Sequence, residues 1–231
     1  MGWISCLFIT FSLTLLLFYV YITATHIPPD RIDMQTWDTL GASVVDFTLY
    51  KKTGRLLRYK PESNEVDILA EGIHFANGVA VVDSNEQSLV VSETFGVRML
   101  EYDLTSGAIK PLEMEPLVGT PDGADCSHST GLCYAAIATS EPAFSKVLSQ
   151  LPPSLHQALR TLTLMLPKSL RPKPVPYGCF VEFDPKIPKV TRIIQDPTGQ
   201  DLRLISGVTV HGNKLYLGSL NNNVVGVYKL S

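Results

Sequence analysis

The sequence predicts an all-β fold of the β-propeller type, preceded by a membrane-spanning helix, and three observations support this prediction. Antiparallel strand patterns recur in units of about 45 residues from position 54 onward. An oxygen-bearing side chain followed by a glycine stands near the start of the first strand in two successive units. Residues 3–25 contain no charged side chain and are dominated by large apolar residues. Together these patterns predict a membrane anchor and a turn-rich β domain.

Composition narrows the classes of partner. The chain has 231 residues, enough for one substantial domain, and a formal net charge of −3. Such a balance gives no basic face, so nucleic acid is not an expected partner. Sixteen glycines and sixteen prolines, with nine tyrosines and nine phenylalanines, are typical of a β domain with many turns.

The N-terminal apolar run, residues 3–25, predicts a retained signal-anchor helix. At ~1.5 Å per residue it spans the ~30 Å hydrocarbon layer of a bilayer. A cleaved signal peptide is the main alternative, but its apolar core is usually about 7–15 residues long and follows a basic start. A buried core helix is a further alternative. Orientation stays open, because Arg31 is the nearest basic residue and Asp30 and Asp33 flank it.

The rest of the chain divides into a linker and a β domain. Residues 26–53 read as a linker with one strand-like piece, Ala42 to Tyr50. The β domain covers residues 54–231 and opens with two strands, Gly54 to Tyr59 and Glu65 to Leu69, joined by a turn.

Three further units follow the same plan, and this recurrence favours a propeller over a β-sandwich, which does not require it. The first two units have four strands each and the last has three. The predicted strands are 75–82, 88–93, 97–104 and 109–114, then 121–127, 132–138, 177–184 and 190–196, then 205–211, 214–220 and 224–230.

An insertion at residues 141–176 breaks the β pattern within one unit. Leu155, Leu159, Leu162 and Leu166 recur at helical spacing after a proline-rich start. Basic residues outnumber acidic ones in this insertion. The sequence leaves three roles open: a lid over a pocket, a contact with anionic lipid, or a helix packed on its own propeller.

Two cysteines, Cys126 and Cys133, flank a predicted turn. If the hairpin is centred between Ser129 and Thr130, the two face each other across the strands that the turn joins. They could form a disulfide in an oxidising lumen. Packing as two buried free thiols is the alternative, and it is slightly favoured. Cys179 lies in a predicted strand without an obvious partner.

Asn77 and Asp122 are the candidate metal ligands. Each lies near the entry to the first strand of a unit and precedes a glycine. The first strand of a propeller blade runs beside the central channel, so these oxygens can converge on one axis. Calcium takes six to eight oxygen ligands and suits such a ring. A plain turn is the alternative for Asn-Gly and for Pro-Asp-Gly, but the equivalent places of the two residues favour a shared axial site.

The β domain resembles the strictosidine-synthase-like family, which includes the adipocyte plasma-membrane-associated proteins and is related to paraoxonases and gluconolactonases. The resemblance covers about three quarters of the chain and depends on the combined order of several short motifs. These motifs are 54–59 (GRLLRY), 75–80 (FANGVA), 121–123 (PDG), 172–178 (PKPVPYG) and 212–220 (GNKLYLGSL).

The resemblance implies a six-bladed propeller with calcium on its axis, of which this chain has about three and a half blades. It implies hydrolysis of esters or lactones and, in one branch, condensation of an amine with an aldehyde. Asn77 and Asp122 match two axial calcium ligands of the family. Its further glutamate and asparagine ligands, and a histidine base, come from blades that precede Gly54. Ser206 stands where the condensing branch has a glutamate, so condensation is not expected.

Two histidines are weaker candidates for a general base. His74 precedes the strand that carries Asn77, and His128 lies in a predicted turn near Asp125. The chain has no nucleophile elbow, phosphate loop or zinc-ligand spacing.

The sequence therefore predicts a single-pass membrane protein whose propeller lies in the endoplasmic-reticulum lumen or outside the cell. It would be a calcium-dependent hydrolase of small esters or lactones, in which the metal polarises the substrate carbonyl. The alternative is a truncated or non-catalytic propeller, either a binding scaffold or an incomplete product, stabilised by pairing with a second copy. Upstream sequence that encodes more blades would favour the enzyme.

Overall fold

The computed structural model describes residues 52–140 and 177–230, together with the single residues 152, 155 and 162. The predicted anchor, the linker up to residue 51 and most of the 141–176 insertion lie outside these residues. Within the described ranges, no helix has the length and apolar character needed to cross a bilayer. The anchor and the helical insertion therefore stay predictions.

Thirteen strands in the described part of the chain form four antiparallel sheets. The first sheet is a hairpin of β1 (Gly54–Lys60) and β2 (Glu65–Ile73). The second contains β3 (Ala76–Val81), β4 (Ser88–Glu93), β5 (Arg98–Asp103) and β6 (Ile109–Pro111). The third contains β7 (Gly119–Cys126), β8 (Cys133–Ser140), β9 (Gly178–Asp184) and β10 (Lys189–Asp196). The fourth contains β11 (Ile205–His211), β12 (Lys214–Ser219) and β13 (Gly226–Lys229).

Strand β8 shows why these segments pair as they do. Its residues alternate between two buried faces, with Cys133, Ala135 and Ile137 on one side and Tyr134 and Ala136 on the other. A strand buried on both faces carries apolar residues at every position instead of alternating with polar ones. β8 is therefore a central strand that two neighbouring sheets cover.

Three apolar cores lie between the four sheets. The first core joins the β1–β2 hairpin to the second sheet, the next joins the second and third sheets, and the last joins the third and fourth. In the first core, Leu56 packs with Val91 and Tyr102. In the second, Val90 and Met99 pack with Ile137 and Phe183. In the third, Tyr134 and Phe180 pack with Leu215 and Leu217.

The first strands of the three larger sheets lie next to one another, since β3 packs against β7 and β7 packs against β11. Sheets that pack face to face in chain order around adjacent first strands form an arc of a propeller. The predicted strand order is confirmed, and the bounds of β4 and β11 coincide with the predicted ones. A two-sheet sandwich does not fit this arrangement.

Cys126 and Cys133 form a disulfide, so the slight preference for free thiols was wrong. The physical reason is register: the two residues are direct partners across β7 and β8, which places their side chains on the same face. Cys179 is a buried free thiol.

The 141–176 insertion leaves the fold after Ser140, at the end of β8, and the described chain resumes at Tyr177 before β9. Ser140 pairs with Gly119 at the start of β7. Ser140 and Tyr177, the described residues on either side of the insertion, therefore lie at the end of the third sheet where its inner strand begins.

Candidate functional site

The three inner strands share an irregularity near their first residues. In β3, Asn77 and Gly78 together lie opposite one residue of β4, because Ala76 pairs with Glu93 and Val79 pairs with Val91. An extra residue of this kind is a β-bulge, which bends a strand and redirects a side chain.

The same bulge recurs in the next two inner strands. In β7, Asp122 and Gly123 lie between residues paired with Ile137 and Ala135. In β11, Ile205 pairs with Ser219 and Gly207 pairs with Gly218, so Ser206 is the extra residue. Each inner strand thus carries a polar residue followed by glycine at an equivalent bulge.

The glycines of these bulges allow the inner strands to approach closely. A β-carbon at Gly78 would overlap the carbonyl oxygen of Asp122 and lie 2.5 Å from the amide nitrogen of Ala124. A β-carbon at Gly123 would lie 2.8 Å from the carbonyl oxygen of Ser206. Backbone-to-backbone contact at this spacing requires a residue without a side chain. The glycines therefore bring Asn77, Asp122 and Ser206 into one row.

The structure brings the two predicted ligands together, since the Asn77 side chain lies close enough to the Asp122 carboxylate to lower its pKa. Asn77 is exposed and Asp122 is half-buried. Burial raises the pKa of Asp122 to about 6, against the opposing effects of hydrogen bonds from Asn77 and from the Gly123 backbone. Among the described groups, no cationic side chain contributes to this pKa.

Hydrogen bonds between neighbouring sheets hold Asp122 in place. The hydroxyl of Thr94, the residue directly after β4, donates to the carbonyl of Pro121 at 2.7 Å, and both residues are buried. On the other side, the Val210 amide of β11 donates to the Asp125 carboxylate at 2.8 Å. The strand that carries Asp122 is therefore fixed to the sheets on either side of it.

Ser206 is the residue that the sequence analysis missed as a member of this row. It was considered only as the replacement for a glutamate. The available signal was the dipeptide Ser206-Gly207 near the start of a predicted first strand, in the place that Asn77-Gly78 and Asp122-Gly123 hold in earlier units.

The two histidine candidates have different surroundings. His74 is buried, with its backbone amide donating to Glu93 at 2.8 Å and its ring packed edge-on against Phe95. Glu93 is itself buried and also accepts from the guanidinium of Arg98. His128 is exposed in the turn between β7 and β8. These contacts give His74 a packing role and provide no support for either residue as a base.

The row of Asn77, Asp122 and Ser206 offers a carboxylate, an amide and a hydroxyl at one end of the inner strands. Oxygen groups of this kind suit a hard cation such as calcium. Within the described ranges there is no cluster of three or more histidine, cysteine or acidic side chains that could hold a metal. The row can therefore supply only part of an oxygen site.

The raised pKa of Asp122 predicts how the metal-free protein responds to pH. A raised carboxyl pKa means that the folded state binds the proton more tightly than the unfolded state. This contribution to stability is fully present below the unfolded value of 3.8 and is lost as pH rises through about 6. This shift corresponds to about 3 kcal/mol for a fully buried group. Because the carboxyl is only half-buried, solvent screening lowers the expected fall in unfolding free energy, measured in a chelator, to on the order of 2 kcal/mol.

Urea unfolding at a series of pH values measures this loss. Asp122→Asn should remove it, whereas Asp201→Asn, at an exposed turn position, should leave it in place. A pH profile that Asp122→Asn does not change would contradict the assignment.

Comparison with known proteins adds to this geometry. Residues 35–107 match a family model described as strictosidine synthase. The chain is 32% identical over 187 residues to the protein STRICTOSIDINE SYNTHASE-LIKE 10 of Arabidopsis thaliana, covering 78% of this chain and 48% of that one. It is 31% identical over 175 residues to the adipocyte plasma membrane-associated protein of Gallus gallus, covering 73% of this chain and 41% of that one.

The chain therefore spans about half the length, or less, of these curated relatives. Among solved structures, the β-propeller domain of the Trilobed protease from Pyrococcus furiosus aligns with a TM-score of 0.41 at 8% identity, covering 76% of this chain and 45% of that one.

Proposed function

Because this chain belongs to the strictosidine synthase-like propeller family, we propose that Asn77 and Asp122 hold a calcium ion that serves the hydrolysis of small esters or lactones. The observation that carries the proposal is the Asp122 carboxylate. It is half-buried beside the Asn77 amide, and no cationic group among the described residues contributes to its pKa. A buried carboxylate is costly unless a cation or several donors offset its desolvation.

The donor chemistry of the row fits calcium. Asp122 supplies the carboxylate, the carbonyl oxygen of Asn77 can face the ion if its amide reorients, and Ser206 holds the third equivalent place. Calcium needs six to eight oxygens, and the row supplies about half of them. The remaining ligands must come from water, from a further part of the protein or from a partner.

In this proposal the metal would polarise the carbonyl of an ester or lactone and stabilise the negative charge that develops on its oxygen. The contribution of this chain is positional. Asn77 and Asp122 hold the ion at the ends of adjacent inner strands. The contacts of Thr94 with Pro121 and of Asp125 with Val210 keep those strands at a fixed spacing.

The proposed location is the endoplasmic-reticulum lumen or the cell exterior, with residues 3–25 as a single-pass anchor. The Cys126–Cys133 disulfide supports it, because disulfides persist in oxidising compartments. Two relatives, from Gallus gallus and Salmo salar, have names that describe them as plasma membrane-associated.

A non-catalytic propeller that serves as a binding scaffold is the second candidate. It is favoured by the lack, among the described residues, of any cluster of three or more histidine, cysteine or acidic side chains that could hold a metal. A scaffold would need the arc and its surface but no axial cation. Calcium binding therefore separates the two candidates.

Thermal unfolding of the full chain in detergent tests the proposal. Calcium at ~100 times its dissociation constant should stabilise the protein by ~2.7 kcal/mol, and a chelator should reverse the shift. Asp122→Asn should abolish the shift and Asn77→Ala should reduce it. Asn213→Ala, in the exposed turn between β11 and β12, is the matched control and should preserve it.

Ester and lactone assays follow once calcium binds. Hydrolysis that depends on calcium and is lost in Asp122→Asn would support the enzyme. A transition that calcium does not move in the wild-type chain would remove the hydrolase proposal and favour the scaffold.

A further inference from the structure

Strand β4 ends in a buried acidic residue, Glu93, whose carboxylate joins two segments at the bulge end of the second sheet. One carboxylate oxygen accepts a hydrogen bond from the backbone amide of His74 at 2.8 Å, and the other accepts from the guanidinium of Arg98. Glu93 is 2% exposed, so its carboxylate is shielded from water. Hydrogen bonds to a charged group are stronger than those between neutral groups. Glu93 therefore holds the segment that leads into β3 against the start of β5.

The turn after β4 is built around this carboxylate. Thr94–Gly96 form a short 3₁₀ turn. A β-carbon at Gly96 would overlap the Glu93 carboxylate and lie 2.9 Å from its γ-carbon. A glycine at this position leaves the space that the carboxylate occupies. The turn thus supplies both the acidic side chain and the room in which it reaches its two donors.

Thr94, the next residue, contacts the segments that precede both candidate ligands. Its backbone amide donates to the carbonyl of Phe75 at 3.1 Å, two residues before Asn77. Its hydroxyl donates to the carbonyl of Pro121 at 2.7 Å, one residue before Asp122. The side chain of a β-branched residue is stiff, so the hydroxyl stays at a nearly fixed distance from the amide. One buried residue therefore sets the spacing between the bulge of β3 and the bulge of β7.

The backbone of Phe75 shows that the segment before Asn77 is held by its surroundings. Its φ of 61° is a left-handed conformation that residues with a side chain seldom adopt. Such a conformation persists only where neighbouring contacts enforce it, and it is common at ligand sites. Here the contacts are the Thr94 amide on the Phe75 carbonyl and the ring of Phe95, with ring centroids 4.6 Å apart. The conformation that leads to Asn77 thus depends on the turn after β4.

The two residues at the end of β4 differ from their counterparts in the next two sheets. By register, Thr94 corresponds to Ala138 and Leu220, whose side chains cannot donate a hydrogen bond. Glu93 corresponds to Ile137 in β8 and to a serine in β12. The same strand plan therefore forms without a Glu-Thr pair. The pair occurs at the junction between the two strands that carry the candidate ligands.

From these contacts we propose that Glu93 and Thr94 are positioning residues for the oxygen row. Glu93 fixes the segment that leads to Asn77, and Thr94 sets that segment against the strand that carries Asp122. Both act through the two ligands and not through contact with the ion. The inference rests on the proposed function, because the geometry that they maintain is that of the calcium site. Ligands must be held within about 0.5 Å of their productive geometry, so loosening this junction should weaken calcium binding without removing a ligand.

Isothermal titration calorimetry of the full chain in detergent tests the role of Thr94. Thr94→Val keeps the shape of the side chain and removes the hydroxyl, and it should lower calcium affinity by at least about 10-fold. Thr94→Ser restores the hydroxyl and should bind calcium like the wild type. Thr191→Val is the matched control, because it removes a hydroxyl that donates to the Glu182 carbonyl at 3.1 Å in the outer strand β10. Its calcium affinity should be unchanged.

Glu93→Gln tests the other residue of the pair. The amide has one acceptor oxygen in place of two, so one of the two contacts of Glu93 must break, and calcium affinity should again fall by about 10-fold. Glu101→Gln, which alters the surface pair with Lys110, is its control and should have no effect. Far-ultraviolet circular dichroism verifies that each variant is folded. If Thr94→Val or Glu93→Gln is folded and binds calcium as tightly as the wild type, that residue only stabilises the fold, and its positioning role is overturned.

A wild-type chain that binds no calcium would remove the proposed function, and a measurement in a chelator then decides the positioning. Nuclear magnetic resonance of protein with isotope-labelled asparagine shows the side-chain amide of Asn77, identified by its absence from Asn77→Ala. Asp122→Asn should shift this signal in the wild-type background and leave it unchanged in Thr94→Val, in which the two side chains are separated. An equal shift in both backgrounds would overturn the role of Thr94.

Discussion

Alanine at Gly78 is expected to destabilise the arc by about 3 kcal/mol and to separate Asn77 from Asp122. The added methyl group would overlap the backbone of Asp122 and lie 2.8 Å from the carbonyl carbon of Gly123. These atoms belong to β7, which hydrogen bonds with neighbouring sheets hold in place, so they have little freedom to move. Chemical unfolding of Gly78→Ala measures the loss.

The chain supplies its own matched control at Gly207, which holds the equivalent place in β11 and faces open space. Gly207→Ala should therefore change stability by well under 1 kcal/mol. Equal losses from the two substitutions would contradict the close approach at Gly78.

Removal of the Glu182 side chain is expected to cost about 2 kcal/mol, because it takes an acceptor from a buried hydroxyl and from a partly exposed guanidinium. Glu182 is buried, and it is the cross-strand neighbour of both Tyr134 and Arg192. It accepts hydrogen bonds from the Arg192 guanidinium at 2.9 Å and from the Thr191 hydroxyl at 2.8 Å. Burial opposes ionisation, but the hydrogen bonds from Arg192, Thr191 and Tyr134 outweigh it and lower the pKa of Glu182.

Glu182→Ala would leave the guanidinium and the buried Tyr134 hydroxyl without this acceptor. Urea unfolding compares it with Glu101→Ala, which removes a surface pair with Lys110 at 3.3 Å and should cost at most about 1 kcal/mol. If Glu182→Ala costs no more than Glu101→Ala, the network does not stabilise the third sheet.

The strand order could be predicted from the sequence because each strand is marked either by its apolar pattern or by the turn residues that flank it. Ser88–Glu93 and Ile205–His211 lie between clear turn residues, and their predicted bounds agree with the structure. The order in which sheets pack also followed, because consecutive units of one plan stack on their neighbours. The disulfide could not be decided, because the choice between a bond and two free thiols depends on the register of one hairpin.

The candidate site was predictable in part for a similar reason. Asn77 and Asp122 stand out because an asparagine or aspartate before glycine is easily noticed. Ser206 was missed because serine before glycine is common in turns and loops. Nothing local in the sequence reveals that all three residues lie at bulges, since a bulge is defined by the pairing of two strands. The close approach of the inner strands likewise depends on contacts between residues far apart in the chain.

The chain-order packing of the four sheets has a consequence for how the protein opens. In the described part of the chain, each sheet packs mainly against its neighbours along the arc, so the free energy of opening is distributed along one dimension. Sheets at the two ends have one covered face, whereas β8 has two covered faces and two paired edges. Backbone amides of β8 should therefore exchange with solvent most slowly, and opening should begin at the hairpin and at β13 and progress inward.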